Sequence, residues 1–172
     1  MKSLLLLFGL LPMICFSQKI AEKKVDEFTK SSIMRTSWET LTKIDGMSMK
    51  GLTSYIRFSK INDIIYIDLK VMDGSVLSVP DGNKIMLMLQ NDSIVTIKNS
   101  HYEVACMGCG AIGLSGSSAY GIQLNNPITD KEFEIFKSKQ IKKIRIYFRD
   151  GYLEDEVKEK HAKIIPKLAE LL

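Results

Sequence analysis

Ile64-Ile65-Tyr66-Ile67-Asp68-Leu69-Lys70-Val71 decides the fold. Ile65, Ile67, Leu69 and Val71 share one face of an extended chain, and Tyr66, Asp68 and Lys70 share the other. Period two is the mark of a strand with one face in a core. Working outward, Leu52 to Ser59 repeats the pattern with Leu52, Ile56 and Phe58, and Lys60 to Asp63 reads as the tight connection between the two. Ile33 to Leu41 reads as an earlier strand carrying the chain's one tryptophan, Trp38. Ile85 to Leu89 is apolar on both faces through Met86 and Met88, which suits a central strand. Ser93 to Lys98 comes next, across the turn Asn91-Asp92. Asp45-Gly46, Asp73-Gly74 and Asp81-Gly82 are further turn signals.

The last third changes character. Thr129-Asp130-Lys131-Glu132 spells a capping box, in which hydroxyl and carboxylate satisfy free amides at a helix start. Phe133 and Phe136 give that helix, near residues 130–138, one apolar stripe. Ile144, Ile146 and Phe148 mark a strand that turns at Asp150-Gly151 into Tyr152 to Val157. Val157, His161, Ile164, Ile165, Leu168, Leu171 and Leu172 are spaced as an amphipathic helix, with Pro166 set to kink or restart it. The strands up to residue 100 lack crossover helices, which argues against a parallel sheet. The expected class is α+β: a curved, mainly antiparallel sheet of about eight strands, a short helix near 130–138 and a C-terminal helix packed on the sheet.

Residues 1–17, MKSLLLLFGLLPMICFS, read as a secretory signal peptide. Lys2 precedes an uncharged run from Leu4 to Phe16, and Cys15 and Ser17 are small residues before a cleavage site at Ser17–Gln18. The run falls short of the roughly 20 residues a membrane helix needs. Acylation at Cys15 would make a lipoprotein, but that processing wants a small residue where Ile14 stands. The expected products are a leader, 1–17, and a single α+β domain, 18–172, secreted or periplasmic, with no transmembrane segment. The formal net charge of the whole chain is +4, with one unit on Lys2. So mild and dispersed a charge does not argue for nucleic acid.

Cys106-Met107-Gly108-Cys109-Gly110-Ala111-Ile112-Gly113 spells both CxxC and GxGxxG. A dinucleotide site needs a helix after Gly113 to face the pyrophosphate. The next residues, Leu114-Ser115-Gly116-Ser117-Ser118-Ala119-Tyr120-Gly121, have no apolar stripe. A thioredoxin-like thiol needs a helix N-terminus and a βαβ unit, and glycines surround Cys109 instead. Zinc needs four ligands, and beyond this pair the chain offers His101 and His161 at no standard spacing. Met47-Ser48-Met49, Met86-Leu87-Met88 and Met107 would suit Cu(I), although methionine in strands is chiefly core filler. Gly113-Leu114-Ser115-Gly116-Ser117 ends in serine where a nucleophile elbow needs glycine. Glu154-Asp155-Glu156 and Asp26-Glu27 read as solvated acids. An oxidising compartment favours a local disulfide between Cys106 and Cys109.

The leader's end, Phe16-Ser17-Gln18, and the closing run KIRIYFRDGYLEDEVKEKHAKIIPKLAELL, residues 143–172, resemble uncharacterised exported proteins of the Bacteroidetes. The resemblance covers the two ends of the chain. It implies export and carries no catalytic role.

The functional expectation is an exported, non-catalytic binding domain without a cofactor. Its candidate recognition loop holds Gly108, Gly110, Gly113, Ser115, Ser117 and Tyr120, since loops on rigid sheets carry function. Its partner would be an envelope protein, a glycan or a small apolar ligand. The alternative is an envelope thiol-redox or soft-metal protein that uses the CxxC pair.

Overall fold

The computed structural model describes residues 19–44 and 52–172. The leader with Cys15, the cleavage site, Asp45-Gly46 and Met47-Ser48-Met49 lie outside the described residues. The class is α+β, built mainly of antiparallel sheet. The described residues hold thirteen strands, of which nine have five residues or more. The excess over about eight comes from short pieces, together with the strands Ile20–Val25 (β1) and Tyr120–Ile128 (β11), which the sequence pattern did not mark.

One sheet runs β1-β2-β4-β5-β11-β10, with β3 also on β4. Its members are β1, Ser32–Thr36 (β2), Glu39–Thr42 (β3), Thr53–Ile61 (β4), Ile64–Met72 (β5), Cys106–Met107 (β10) and β11. A second runs β13-β12-β7-β8, from Gly151–Glu156, Ile141–Phe148, Lys84–Leu89 and Ile94–Lys98. Ser78–Val79 (β6) and Glu103–Val104 (β9) form a small ribbon. β7 is central in its sheet, as its apolar content implies. Ile56, Phe58, Ile67, Leu69, Ile122 and Leu124 from the large sheet join Ile85, Leu87, Ile144 and Ile146 from the second in one core. Burial of such side chains contributes roughly 1.5–3 kcal/mol each.

The expected strand from Ile33 to Leu41 is broken. β2 and β3 both pair with β4, β2 at Ser59–Ile61 and β3 at Ser54–Ile56. Opposite the gap, the buried Thr36 hydroxyl accepts from the Phe58 N–H at 3.0 Å and donates to the Phe58 carbonyl at 3.2 Å. A side chain thus replaces a ladder pair, which meets the hydrogen-bonding requirement of buried backbone. The break lets the chain step at Ser37-Trp38.

Asp130–Ser138 forms α1, with the capping box in place: Glu132 N–H donates to Thr129 Oγ1 at 3.2 Å, and Thr129 N–H donates to Glu132 Oε2 at 2.8 Å. Its Phe133 and Phe136 rings meet Phe58 at 5.5 and 5.8 Å. The closing helix is two pieces, Glu159–Ala162 (α2) and Ile164–Ala169 (α3). The break precedes Pro166, which has no N–H for the carbonyl of Ala162 and whose ring crowds it. α3 buries Ile165, Leu168 and Ala169 and packs on α1 and β4. The β12–β13 hairpin turns at Arg149-Asp150, one residue earlier than expected, with Gly151 opening β13. No helix among the described residues is long and apolar enough to cross a membrane.

Candidate functional site

The structure pairs Cys106 with Cys109, Cα to Cα 5.4 Å. Cys106 lies on β10, exposed, and Cys109 lies in the turn after it. No helix begins at either residue, so no helix dipole acts on the sulfurs. Residues 108–119 run as successive tight turns. Gly108 N–H donates to Ala119 O at 2.9 Å, Ala111 N–H to Gly108 O at 2.9 Å, and Ile112 and Ser115 exchange backbone bonds at 3.3 and 3.2 Å. Gly108, between the cysteines, has φ +76°, a conformation that costs glycine little.

The glycines of GxGxxG thus serve chain geometry. A Cβ on Gly110 would stand 2.5 Å from the Val71 carbonyl oxygen. One on Gly121 would stand 2.6 Å from the same oxygen and from Gly110 N. Glycine at both positions lets the loop lie directly across the end of β5. Lys70 Nζ fastens it there, donating to Ala111 O at 2.6 Å. Gly113, Ser115 and Ser117 are on the outer turns, and Ser115 and Ser117 are exposed. Tyr120 is not in the loop: it opens β11, opposite Met107. The tip presents one apolar side chain, Leu114, 94% exposed among exposed serines, and Met107, 65% exposed, stands on β10 where the loop begins.

Behind the loop, the outer face of the large sheet holds a polar network that sequence reasoning missed. Asp68 faces away from the core as its position implies, yet it is only 2% exposed. Its Oδ2 accepts from Arg57 Nε at 2.7 Å and Ser59 Oγ at 2.5 Å, and its Oδ1 accepts from Asn125 Nδ2 at 2.8 Å. Register explains the meeting: Arg57, Asp68 and Asn125 are direct cross-strand partners on β4, β5 and β11. Charge-assisted bonds of this kind are about twice as strong as neutral ones. Trp38, freed by the β2–β3 break, lies under two cations, with Arg57 4.3 Å and Lys70 Nζ 5.1 Å from its ring centroid. Burial pushes the Lys70 ammonium below its usual pKa, and the Arg57 charge adds to the effect. The signal that pointed here was Asp68 in mid-strand, where an unpaired acid is disfavoured.

The other predicted ligands are scattered. His101 Nδ1 lies 2.9 Å from Ser100 Oγ, near β9, while His161 is on α2. Met86 and Met88 share the outer face of β7 beside Lys143, Arg145 and Glu154, whereas Met107 is in the other sheet. Among the described residues, no three His, Cys, Asp or Glu side chains gather as a metal set. Set beside known families, curated proteins and solved structures, the chain matches none of them.

Proposed function

We propose that this chain is an exported, non-catalytic binding domain whose recognition element is loop 108–119. The carrying observation is the loop's construction. It is held by a disulfide, a ladder of turns and the Lys70–Ala111 bond, and it lifts Leu114 into solvent. A fixed apolar tip on a rigid sheet binds without a large ordering cost. Its chemistry favours a protein surface or a small apolar ligand of the envelope over a glycan. The test is Leu114→Asp in cells, with the chain cross-linked in place and its envelope partners identified. The substitution should abolish the cross-linked partner and leave the melting temperature unchanged, because Leu114 contributes nothing to the core. An unchanged cross-linking pattern would remove the loop from the binding surface. Intact mass of the secreted chain should show cleavage at Ser17–Gln18.

One observation favours a second reading, envelope thiol exchange: Cys106 is exposed. Structural disulfides of secreted proteins have potentials below about −300 mV, and exposed exchangeable ones lie higher. Equilibration in glutathione buffers separates the two. A value above about −300 mV would support exchange, and one below it would leave the bridge structural.

A further inference from the structure

The outer face of the large sheet has a second feature besides the loop. Arg35, Arg57, Ser59, Asp68, Gln123 and Asn125 line an open cleft of about 330 Å³. Two of its acceptor groups, the Asp68 carboxylate and the Asn125 amide oxygen, are already engaged. Asp68 takes three hydrogen bonds on its two oxygens, and Asn125 Oδ1 accepts from Gln123 Nε2 at 3.2 Å. Its donors are in surplus. Among the described residues Arg57 donates only through Nε, and neither Nη group has a protein partner there. Arg35 donates through Nη1 to Glu22 at 2.5 Å, while its Nε is buried and has no acceptor among the described residues. Arg35 is the cross-strand partner of Ser59, two residues from Arg57 on β4. That diagonal sets the two backbones about 7–8 Å apart, within reach of long side chains.

Charge runs the same way. Glu22 is shared between Arg35 and Lys24, and Asp68 balances Arg57. Lys70 has no carboxylate at ion-pair distance among the described residues. The set therefore carries two positive charges beyond its acids. Trp38, stacked beside the cleft residue Arg57, argues for an anion over a neutral sugar. A neutral sugar would use an open aromatic face, but this ring has Arg57 and Lys70 over it. Here the aromatic group holds cations in place.

We propose that this cleft binds an oxyanion, a carboxylate, sulfate or phosphate group, through the guanidinium groups of Arg35 and Arg57. Asp68 and Trp38 act as positioning residues, fixing Arg57 before the ligand arrives. Planar guanidinium matches such anions with paired N–H bonds. The oxyanion has two sources, a free small anion or an acidic saccharide, and the recognising chemistry is the same. The proposal does not depend on the loop reading: Leu114→Asp should leave the cleft's binding intact, so either can fail alone.

Trp38, the only tryptophan in the chain, is a built-in reporter. Its fluorescence would be titrated with sodium sulfate, sodium phosphate, citrate and trigalacturonate at constant ionic strength, with maltotriose as the neutral counterpart. We expect a saturable change with at least one oxyanion and none with maltotriose. Response to the inorganic ions or citrate assigns a free anion, and response to trigalacturonate alone assigns an acidic saccharide. Arg35→Gln should weaken binding about tenfold or more, the scale of one lost charge-assisted contact. Arg57→Lys keeps the charge and should also weaken it, because the fork is lost. Absence of saturation with every oxyanion, equal response to maltotriose, or unchanged affinity in both folded variants would overturn the proposal. If Arg35→Gln does not fold, Arg57→Lys alone decides.

Discussion

The glycine-rich loop and the outer face of the large sheet are neighbours joined by the Lys70–Ala111 bond, yet they are stabilised by opposite means. The loop holds its shape through backbone: short turns, glycines where no Cβ fits, and one covalent link. The sheet face holds its shape through side chains, a buried carboxylate that accepts three hydrogen bonds, from Arg57 and Ser59 on β4 and from Asn125 on β11. A backbone-built region tolerates change at its exposed positions and fails where a Cβ is added. A side-chain network does the reverse: it has no steric choke point, but losing the Asp68 charge leaves the largely buried Arg57 and the buried Ser59 without that acceptor.

The largest expected effect comes from that difference. Asp68→Ala removes the acceptor of Arg57, Ser59 and Asn125 at once. Breaking a buried ion pair from one side costs about 3–5 kcal/mol. Urea unfolding followed by Trp38 emission and circular dichroism would measure it. Asp68→Asn, which retains an acceptor oxygen, should cost less. A loss below about 1 kcal/mol for the alanine variant would mean that water replaces the network freely, as at an exposed pair.

Gly110→Ala tests the loop's side of the comparison. The added methyl meets the Val71 carbonyl, and Met72 Cγ at 2.6 Å, so part of the obstacle is backbone. Overpacking of this sort costs about 1–3 kcal/mol. The more telling readout is local: amide exchange should quicken across 108–119 while β4, β5 and β11 keep their protection. Uniform loss across the sheet would show that loop and face unfold as one unit, and the contrast between them would collapse.

The two regions also differ in how far they could be read from the sequence. The loop's cysteine pair and turn content were visible because each rests on residues adjacent in the chain. β5 and β4 were visible through period two. The helix at Asp130 was visible because all four capping-box residues are contiguous. The Asp68 network was not, since Arg57, Asp68 and Asn125 meet only once three strands take one register. That register needs β11, and β11 was hidden by Asn125-Asn126-Pro127, residues that ordinarily read as a turn. Two facts of context overrule the local preference. Asn126 is buried and its Oδ1 accepts from Ser100 N–H at 3.1 Å, and beyond Gly121 β5 alone among the described strands pairs with β11, so Pro127 can turn its ring nitrogen to the open side. β1 was hidden for another reason: Ile20-Ala21-Glu22-Lys23-Lys24-Val25 is a charged edge strand, with a composition that suits an edge and leaves no alternation to read.

The smallest expected effect lies away from both regions and sharpens the comparison by giving a background against which to judge them. His161 sits half-buried on α2, and burial first, then the charges of Lys160, Lys158 and Lys43, push its pKa below the usual 6.5. The neutral imidazole is therefore favoured in the folded chain. With the folded pKa below the unfolded one, the unfolded chain binds more protons as pH falls through that interval. Stability should be full above about pH 6.5 and decline below it. Thermal melts from pH 7.5 to 5.0 should show the decline, and His161→Gln should flatten it, because glutamine carries no titrating charge. The Asp68 and Gly110 variants should show the same slope as the parent chain, displaced to lower temperature, since neither changes the surroundings of α2. A pH dependence that survived His161→Gln undiminished would assign the titration to another group.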